Sequence, residues 1–206
     1  MKRLLIIGAG GHGKVVADTA EENGCWDDIA FLDDRFPAIQ KINQRPVVGS
    51  FDACSSMLDD YSTIAMGIGE NSLRVELLLR LKSLGFAVPP IIHPTAFISR
   101  HAKLGEGCVV LPKAVLNANS IVGIGGIINT GAIVEHDCVL GCGVHISPGT
   151  TLSGGVRVGD FSFLGTGTLV IPMITIGCHV ISGAGTVIIR DVPDNVKIVG
   201  VPGKSI

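Results

Sequence analysis

From Ile92 onward the chain places an aliphatic residue at every sixth position: Ile92, Ile98, Leu104, Val110, Leu116, Val122, Ile128, Val134, Leu140, Ile146, Leu152, Val158, Leu164, Val170 and Ile176. The register breaks at Ser182. Four residues after each aliphatic comes a mostly small column, as at Ala96, Ala102, Cys108, Ala114, Ala132 and Cys138. The residue directly after each aliphatic is often Gly, Asn or Ser. A helix of period 3.6 cannot keep a six-residue stripe on one face, and plain strand alternation does not demand Gly or Asn at fixed sixths. A chain that turns a corner every six residues satisfies both columns, with aliphatics inside and small residues beside the corners. The spacing predicts a parallel β-helix of hexapeptide repeats. Three hexads close one triangular coil, so residues 92–187 give about five coils, a prism about 24 Å tall at the ~4.8 Å strand spacing.

The repeat also explains an uneven composition. Residues 98–187 carry only eight of the 34 charged side chains, and Gly reaches 28 of 206 residues. Most side chains in this half, Cys108 and Cys138 included, read as core filler. Net charge is −2, with no block of like charges, which gives nucleic acid no basic face to bind. No apolar run reaches 18 residues, so no membrane insertion is expected. The start, Met1–Ile7, mimics a signal peptide but stops in Gly8-Ala9-Gly10-Gly11-His12, and reads better as a first buried strand. Six cysteines without a CxxC read as reduced thiols, and the expected location is cytoplasmic.

The first half alternates strand and helix. Leu4–Ile7 reads as a strand, 14–23 as a helix closed by Gly24, and Ile29–Leu32 as a second strand ending at Asp33 and Asp34. Ser62–Met66 reads as a third strand, followed by a helix with Leu73, Leu77, Leu78 and Leu81 on one side. This pattern predicts a small Rossmann-like βαβ domain over residues 1–90, ahead of the β-helix domain over 91–206. Gly8-Ala9-Gly10-Gly11-His12-Gly13 after the first strand fits a G-x-G-x-x-G phosphate turn. About 90 residues hold one mononucleotide unit only, which favours a nucleotide or nucleotide sugar over NAD. A side chain at Gly13 is expected to block approach of the phosphate. His12 sits where it reaches a ligand or is simply solvated.

Five of the six histidines lie in the second half. His136 falls two places after the core residue Val134, so it points outward beside Asp137. An imidazole next to a carboxylate is the usual arrangement of a general base near neutral pH. The spacing His136-x-Cys138 and Cys142-x-x-His145 invites zinc, but Cys138 belongs to the inward column, so the four groups cannot converge and no metal is expected. The same inward position removes Cys138 as a nucleophile.

Taken together, Gly10-Gly11-His12-Gly13, Phe31-Leu32-Asp33-Asp34, Gly67-Ile68-Gly69-Glu70-Asn71, the Asn129–Cys138 stretch and Val199-Gly200-Val201-Pro202-Gly203-Lys204 resemble the bacterial nucleotide-sugar N-acetyltransferases of the PglD type and their sialic-acid O-acetyltransferase cousins. The resemblance spans essentially the whole chain. It implies a nucleotide-binding α/β domain ahead of a left-handed hexapeptide β-helix, acetyl-CoA as co-substrate and a homotrimer. It implies that His136 is the general base and Asp137 its orienting acid, although Glu is frequent at the second position. It places Gly10, Gly11, His12, Gly13, Asp33, Asp34, Gly69, Asn71 and Asn129 on the nucleotide-sugar substrate. It places His145, Gly165, Gly183, Val201, Pro202 and Lys204 on coenzyme A. The expected reaction is direct acetyl transfer to the 4-amino group of a nucleotide-linked 4-amino-4,6-dideoxy sugar, with UDP as the expected nucleotide. The alternatives are a GDP-perosamine-type N-acetyltransferase, an O-acetyltransferase of sialic acid or a related sugar, and a non-catalytic sugar-nucleotide sensor on the same folds. His136 and His145 are nine residues apart, half of an eighteen-residue coil, so the site is expected to draw on two subunits.

Overall fold

The computed structural model describes residues 1–206. The first domain comprises β1 (Arg3–Ile7), α1 (Gly11–Asn23), β2 (Asp28–Leu32), β3 (Lys41–Ile42), β4 (Arg45–Gly49), β5 (Thr63–Met66) and α2 (Asn71–Ser83). The sheet order is β3-β4-β2-β1-β5. β1 pairs in parallel with β2 and β5, β2 with β4, and only the β3–β4 hairpin is antiparallel. Leu4, Leu5 and Ile6 of β1 are all fully buried, as expected for a parallel strand covered on both faces. The hairpin has no counterpart in the sequence reading.

Two expectations for the helices need correction. α1 begins at Gly11 rather than at Lys14, so Gly11, His12 and Gly13 form its first turn. The Lys14 N–H donates to the Gly10 carbonyl, which starts the helical ladder inside the glycine run. In α2 the buried face is Arg74, Val75, Leu78 and Leu81, while Leu73 is exposed. Leu73 and Leu77 instead line a cavity at the carboxyl ends of the strands.

From Ile91 the chain winds into a left-handed parallel β-helix. Two-residue strands stack at eighteen-residue steps on three faces. The first face starts its strands at Ile91, Val109, Ile127, His145, Phe163 and Ile181. The second starts them at Phe97, Val115, Ile133, Thr151, Leu169 and Val187. The third starts them at Lys103, Ile121, Val139, Arg157 and Thr175. In each pair the second residue points inward, and Ile128, Val134, Leu140 and Ile146 are buried in one continuous core.

The prism is one coil longer than the periodicity suggests. Ser182 is not an end but an interior residue, 1% exposed. Its hydroxyl sits 2.7 Å from Thr168 Oγ1 and accepts from the Gly165 N–H at 2.9 Å. Buried hydroxyls that satisfy one another substitute here for an aliphatic contact. Ile188 then resumes the inward column, and Val192 bridges to Ile176 to close the sixth turn.

The first domain lies on the first face. Ile91 and Val109 join the core beneath α1, together with Leu4, Ile6 and Val16. α2 runs along the edge between the third and first faces, over Gly107, Gly125 and Gly143. All three have positive φ, and a β-carbon on Gly107 would fall 2.2 Å from Leu78 Cδ1. The bare corner therefore lets the helix approach. Beyond Asn71, the first residue of the helix, the same edge continues with Phe161 and His179, stacked with ring centroids 5.0 Å apart.

Candidate active site

His136 and Asp137 occupy the edge between the second and third faces. Asp137 takes a left-handed corner position (φ 60°), which short polar side chains tolerate best. Its carboxylate lies 2.8 Å from His136 Nδ1 and accepts from Asn119 Nδ2, one coil below, at 3.1 Å. The shorter acid thus reaches the ring without help from the chain. The His136 contact, followed by that of Asn119, holds the Asp137 carboxyl below its ordinary pKa. An ionised Asp137 places the imidazole proton on Nδ1 and leaves the Nε2 lone pair free for a substrate proton. The ring rests against Gly154, one coil above. A cavity of about 400 Å³ opens beside it, lined by Gly154, Arg157, Pro172 and Met173. The His136 side chain remains 63% exposed in the single chain.

His145 lies on the first face, a different side of the prism. Asn129 Nδ2 is 3.0 Å from His145 Nε2, and Asn129 Oδ1 accepts from the Thr130 N–H at 2.8 Å. The His12 ring stands 6.3 Å from the His145 ring, and Phe163 meets His145 edge-on at 5.0 Å. His12 is therefore turned toward the β-helix, not toward solvent. Two buried nitrogens, His12 Nε2 and His145 Nδ1, have no protein partner at this joint. Burial, and then the nearby Arg74 cation, push His12 down to about 4 and His145 down to about 3.

The glycine turn divides its work. Gly8 takes φ +95°, Gly10 and Gly11 have open space over their α-carbons, and a β-carbon on Gly13 would fall 2.0 Å from the Gly8 carbonyl oxygen. Gly13 therefore serves helix–strand packing, and the expectation that its bare α-carbon faces a phosphate is corrected; Gly10 and Gly11 offer that access. Asp33 accepts from the Ala9 N–H at 2.8 Å and from Arg35 Nε at 2.6 Å. The Arg35 bond holds its carboxyl far below the usual carboxylate range. Asp34 accepts from the Phe51 N–H at 3.0 Å. Asp33 and Asp34 line a cavity of about 270 Å³ with Gly8, Leu32, Phe51 and Leu73. It lies at the carboxyl ends of the parallel strands, where such sheets hold nucleotides.

Asn71 is not available to a ligand as expected. Its Nδ2 donates to the Phe161 and Ser162 carbonyls at 2.9 and 3.3 Å, and its Oδ1 accepts from Arg74. The residue is spent on joining the domains. Gly69, by contrast, is open over its α-carbon and lines the crevice above Phe161 and Phe163.

Asn129, Ser147, Gly165 and Gly183 stack one per coil along the edge between the first and second faces. A β-carbon on Gly165 would meet the Ser182 carbonyl oxygen at 2.5 Å, and one on Gly183 would meet Val199 Cγ1 at 2.8 Å. Coil stacking alone therefore requires both glycines. The edge leads to the C-terminal segment, where Val201 is exposed and Pro202 and Lys204 line a cavity of about 360 Å³ with Arg190. Three residues with clear roles escaped the sequence reading: Gly154, Arg35 and Arg74. Gly154 had a readable signal, since it follows His136 by one eighteen-residue coil. The arginines had none.

A family model described as the PglD N-terminal domain matches residues 3–81. The acetyltransferase domain of PglB from Neisseria gonorrhoeae, solved with acetyl coenzyme A, is 42% identical, with TM-score 0.96, over 100% of this chain and 99% of that one. PerB from Caulobacter crescentus, solved with CoA and GDP-perosamine, is 40% identical, with TM-score 0.95, over 100% of this chain and 98% of that one. A UDP-N-acetylbacillosamine N-acetyltransferase of Bacillus subtilis is 38% identical over 113 residues, 54% of this chain, so the match spans about half (52%) of that curated relative's length. With 42% identity to the Neisseria domain from end to end, the chain belongs to the PglD-type family of bacterial acetyl-CoA-dependent nucleotide-sugar N-acetyltransferases.

Proposed function

We propose that this chain transfers the acetyl group of acetyl-CoA to the 4-amino group of a UDP-linked 4-amino-4,6-dideoxy sugar, with His136 as general base. The observation that carries the reading is the His136–Asp137 pair, whose 2.8 Å bond leaves Nε2 as an unencumbered base beside an open cavity. The amine attacks the thioester carbonyl while His136 Nε2 takes its proton. The C–N bond forms first, backbone N–H groups stabilise the resulting oxyanion, and the C–S bond then breaks as the carbonyl re-forms and the coenzyme leaves as thiolate. The intact pair speaks against a sugar-nucleotide sensor. The UDP assignment follows the Bacillus relative, and a GDP-linked acceptor is the second reading, favoured by the end-to-end likeness to PerB.

The reading includes a homotrimer with shared sites. Along the second face the outward column is Phe97, Val115, Ile133, Thr151, Leu169 and Val187, without a charge, and Phe97 is 58% exposed. This apolar face separates the Asn129 edge from the His136 edge. If the two edges of neighbouring copies meet, each copy supplies one half of a site and three copies close a ring. The joint also removes His136 from bulk water, which the single chain does not. On the same reading the coenzyme lies along the Asn129–Gly183 edge, with Pro202, Lys204 and Arg190 at its nucleotide end. The expected compartment is the cytoplasm; no helix is long and apolar enough to cross a membrane.

A thiol-release assay against UDP- and GDP-linked 4-amino sugars, free sialic acid and a no-acceptor control tests the proposal. Turnover restricted to 4-amino nucleotide sugars, with a UDP preference, is the expected result. Preference for GDP moves the assignment to the second reading, turnover of sialic acid to O-acetylation, and no turnover on any acceptor overturns the catalytic reading.

A further inference from the structure

Arg74 is fully buried and forms no salt bridge. It makes five hydrogen bonds, all to neutral acceptors. Nε donates to the Gly125 carbonyl at 2.7 Å, Nη1 to Gly69 at 2.9 Å and Ile68 at 3.3 Å, and Nη2 to Asn71 Oδ1 at 2.9 Å and Gly143 at 2.8 Å. The acceptors come from the loop after β5, from α2 and from two successive coils of the prism. One side chain thus clamps the sheet domain to the β-helix. A buried cation usually finds a carboxylate, because desolvating it costs several kcal/mol. Here no carboxylate bonds to it, and Glu70 supports the charge without a salt bridge.

The clamp acts electrostatically on the joint where His12 and His145 meet. The Thr130 N–H holds Asn129 Oδ1, so Asn129 must offer its NH₂ to His145 Nε2. Only a neutral imidazole with its lone pair on Nε2 can accept that bond; a protonated ring would set N–H against N–H. We propose that Arg74 is a positioning residue for acetyl transfer: it fixes the angle between the two domains, and its buried charge adds to burial in keeping the His145 ring neutral so that the Asn129–His145 pair holds one geometry. The charged or titratable groups bearing on these rings are Arg74 itself, His12 on His145, and Glu70 and Cys108 acting through Arg74, while the Gly69 backbone pulls His145 the other way. Burial lowers both rings as well, and Arg74 acts in the same direction.

The inference rests on the proposed reading of this joint as part of the acyl-transfer site, but its test needs no substrate. The imidazole ¹H–¹³C signals of the intact chain are followed from pH 8 down to about 2.5, assigned with His12→Asn and His145→Asn. In the wild type neither ring is expected to titrate above pH 5. Asn71→Asp sets a carboxylate against Arg74 without removing the arginine, and should raise both midpoints by about one pH unit or more. Arg74→Lys keeps the charge and should leave both rings neutral. A wild-type His145 that titrates above pH 5 overturns the proposal, as do unmoved midpoints in folded Asn71→Asp. If Asn71→Asp does not fold, Arg74→Met takes its place with the same expectation and the same overturning result. If neither folds, the wild-type and Arg74→Lys titrations decide. A chain silent on every acceptor but with these titrations intact would remove the proposed function and leave the electrostatic role standing.

Discussion

The His136 imidazole lies over Gly154 so closely that a β-carbon there would fall 2.6 Å from ring atoms Cε1 and Nε2. The absent side chain one coil above is what allows the ring its place. Gly154→Ala should therefore fold normally, because the ring is free to swing into solvent, yet lower kcat by about 10–100-fold with both KM values unchanged. His136→Ala should cost about 10²–10⁴ in kcat, the usual share of a general base. Steady-state kinetics with both co-substrates check this. A Gly154→Ala enzyme with wild-type kcat would show that the ring position is irrelevant.

The glycines of the first turn should separate into two classes. Gly13→Val forces α1 away from β1 and should lower the melting temperature or abolish soluble protein. Gly10→Val and Gly11→Val, with open space over their α-carbons, should keep the fold and raise the acceptor KM while sparing that of acetyl-CoA. Thermal unfolding and paired KM measurements distinguish them. A Gly13→Val protein of unchanged melting temperature would refute the packing role.

Acid should loosen the domain joint before it titrates the carboxylates. His12 and His145 are held down to about 4 and about 3, whereas an unfolded histidine titrates near 6.5. Their contribution to stability is complete above ~6.5 and declines as pH falls below it, by about 1.4 kcal/mol per pH unit for each ring. Urea midpoints between pH 7.5 and 5 should fall in the wild type, and less steeply in His12→Asn and His145→Asn. Equal slopes in all three proteins would exclude the histidines as the cause.

If the site is shared between copies, two dead subunits can revive one another. His136→Ala and His145→Ala each remove one half of every site. After subunit exchange at equal amounts, about a quarter of sites combine an intact His136 with an intact His145, and roughly that fraction of wild-type turnover should return. Activity that stays at the level of the parents after verified exchange rules out the shared site.

What the sequence revealed, and what it concealed, follows from range. The inward column from Ile92 to Ile176 repeats one local rule fifteen times, so it is legible without a structure. The glycine turn is legible for a similar reason, since backbone geometry restricts its residues. Ser182 disguised the last coil because a hydroxyl pair can fill a place reserved for an aliphatic. Asn71 looked like a ligand contact because its partners Phe161 and Ser162 lie 90 and 91 residues away. Arg74 carried no mark at all, because four of its five acceptors are backbone carbonyls, which any residue provides.

Asn129, Gly165 and Gly183 on the stacked edge also set a length. Each coil advances the edge by ~4.8 Å, so the three steps from Asn129 to Gly183 span about 14 Å before the chain turns out at Val201. Because every coil touches only its neighbours, a whole coil is a unit that can be gained or lost without redrawing the rest. On the proposed reading of this edge, the distance between the chemical end and the carrier end changes only in quanta of eighteen residues, and a carrier laid along it must match a whole number of them.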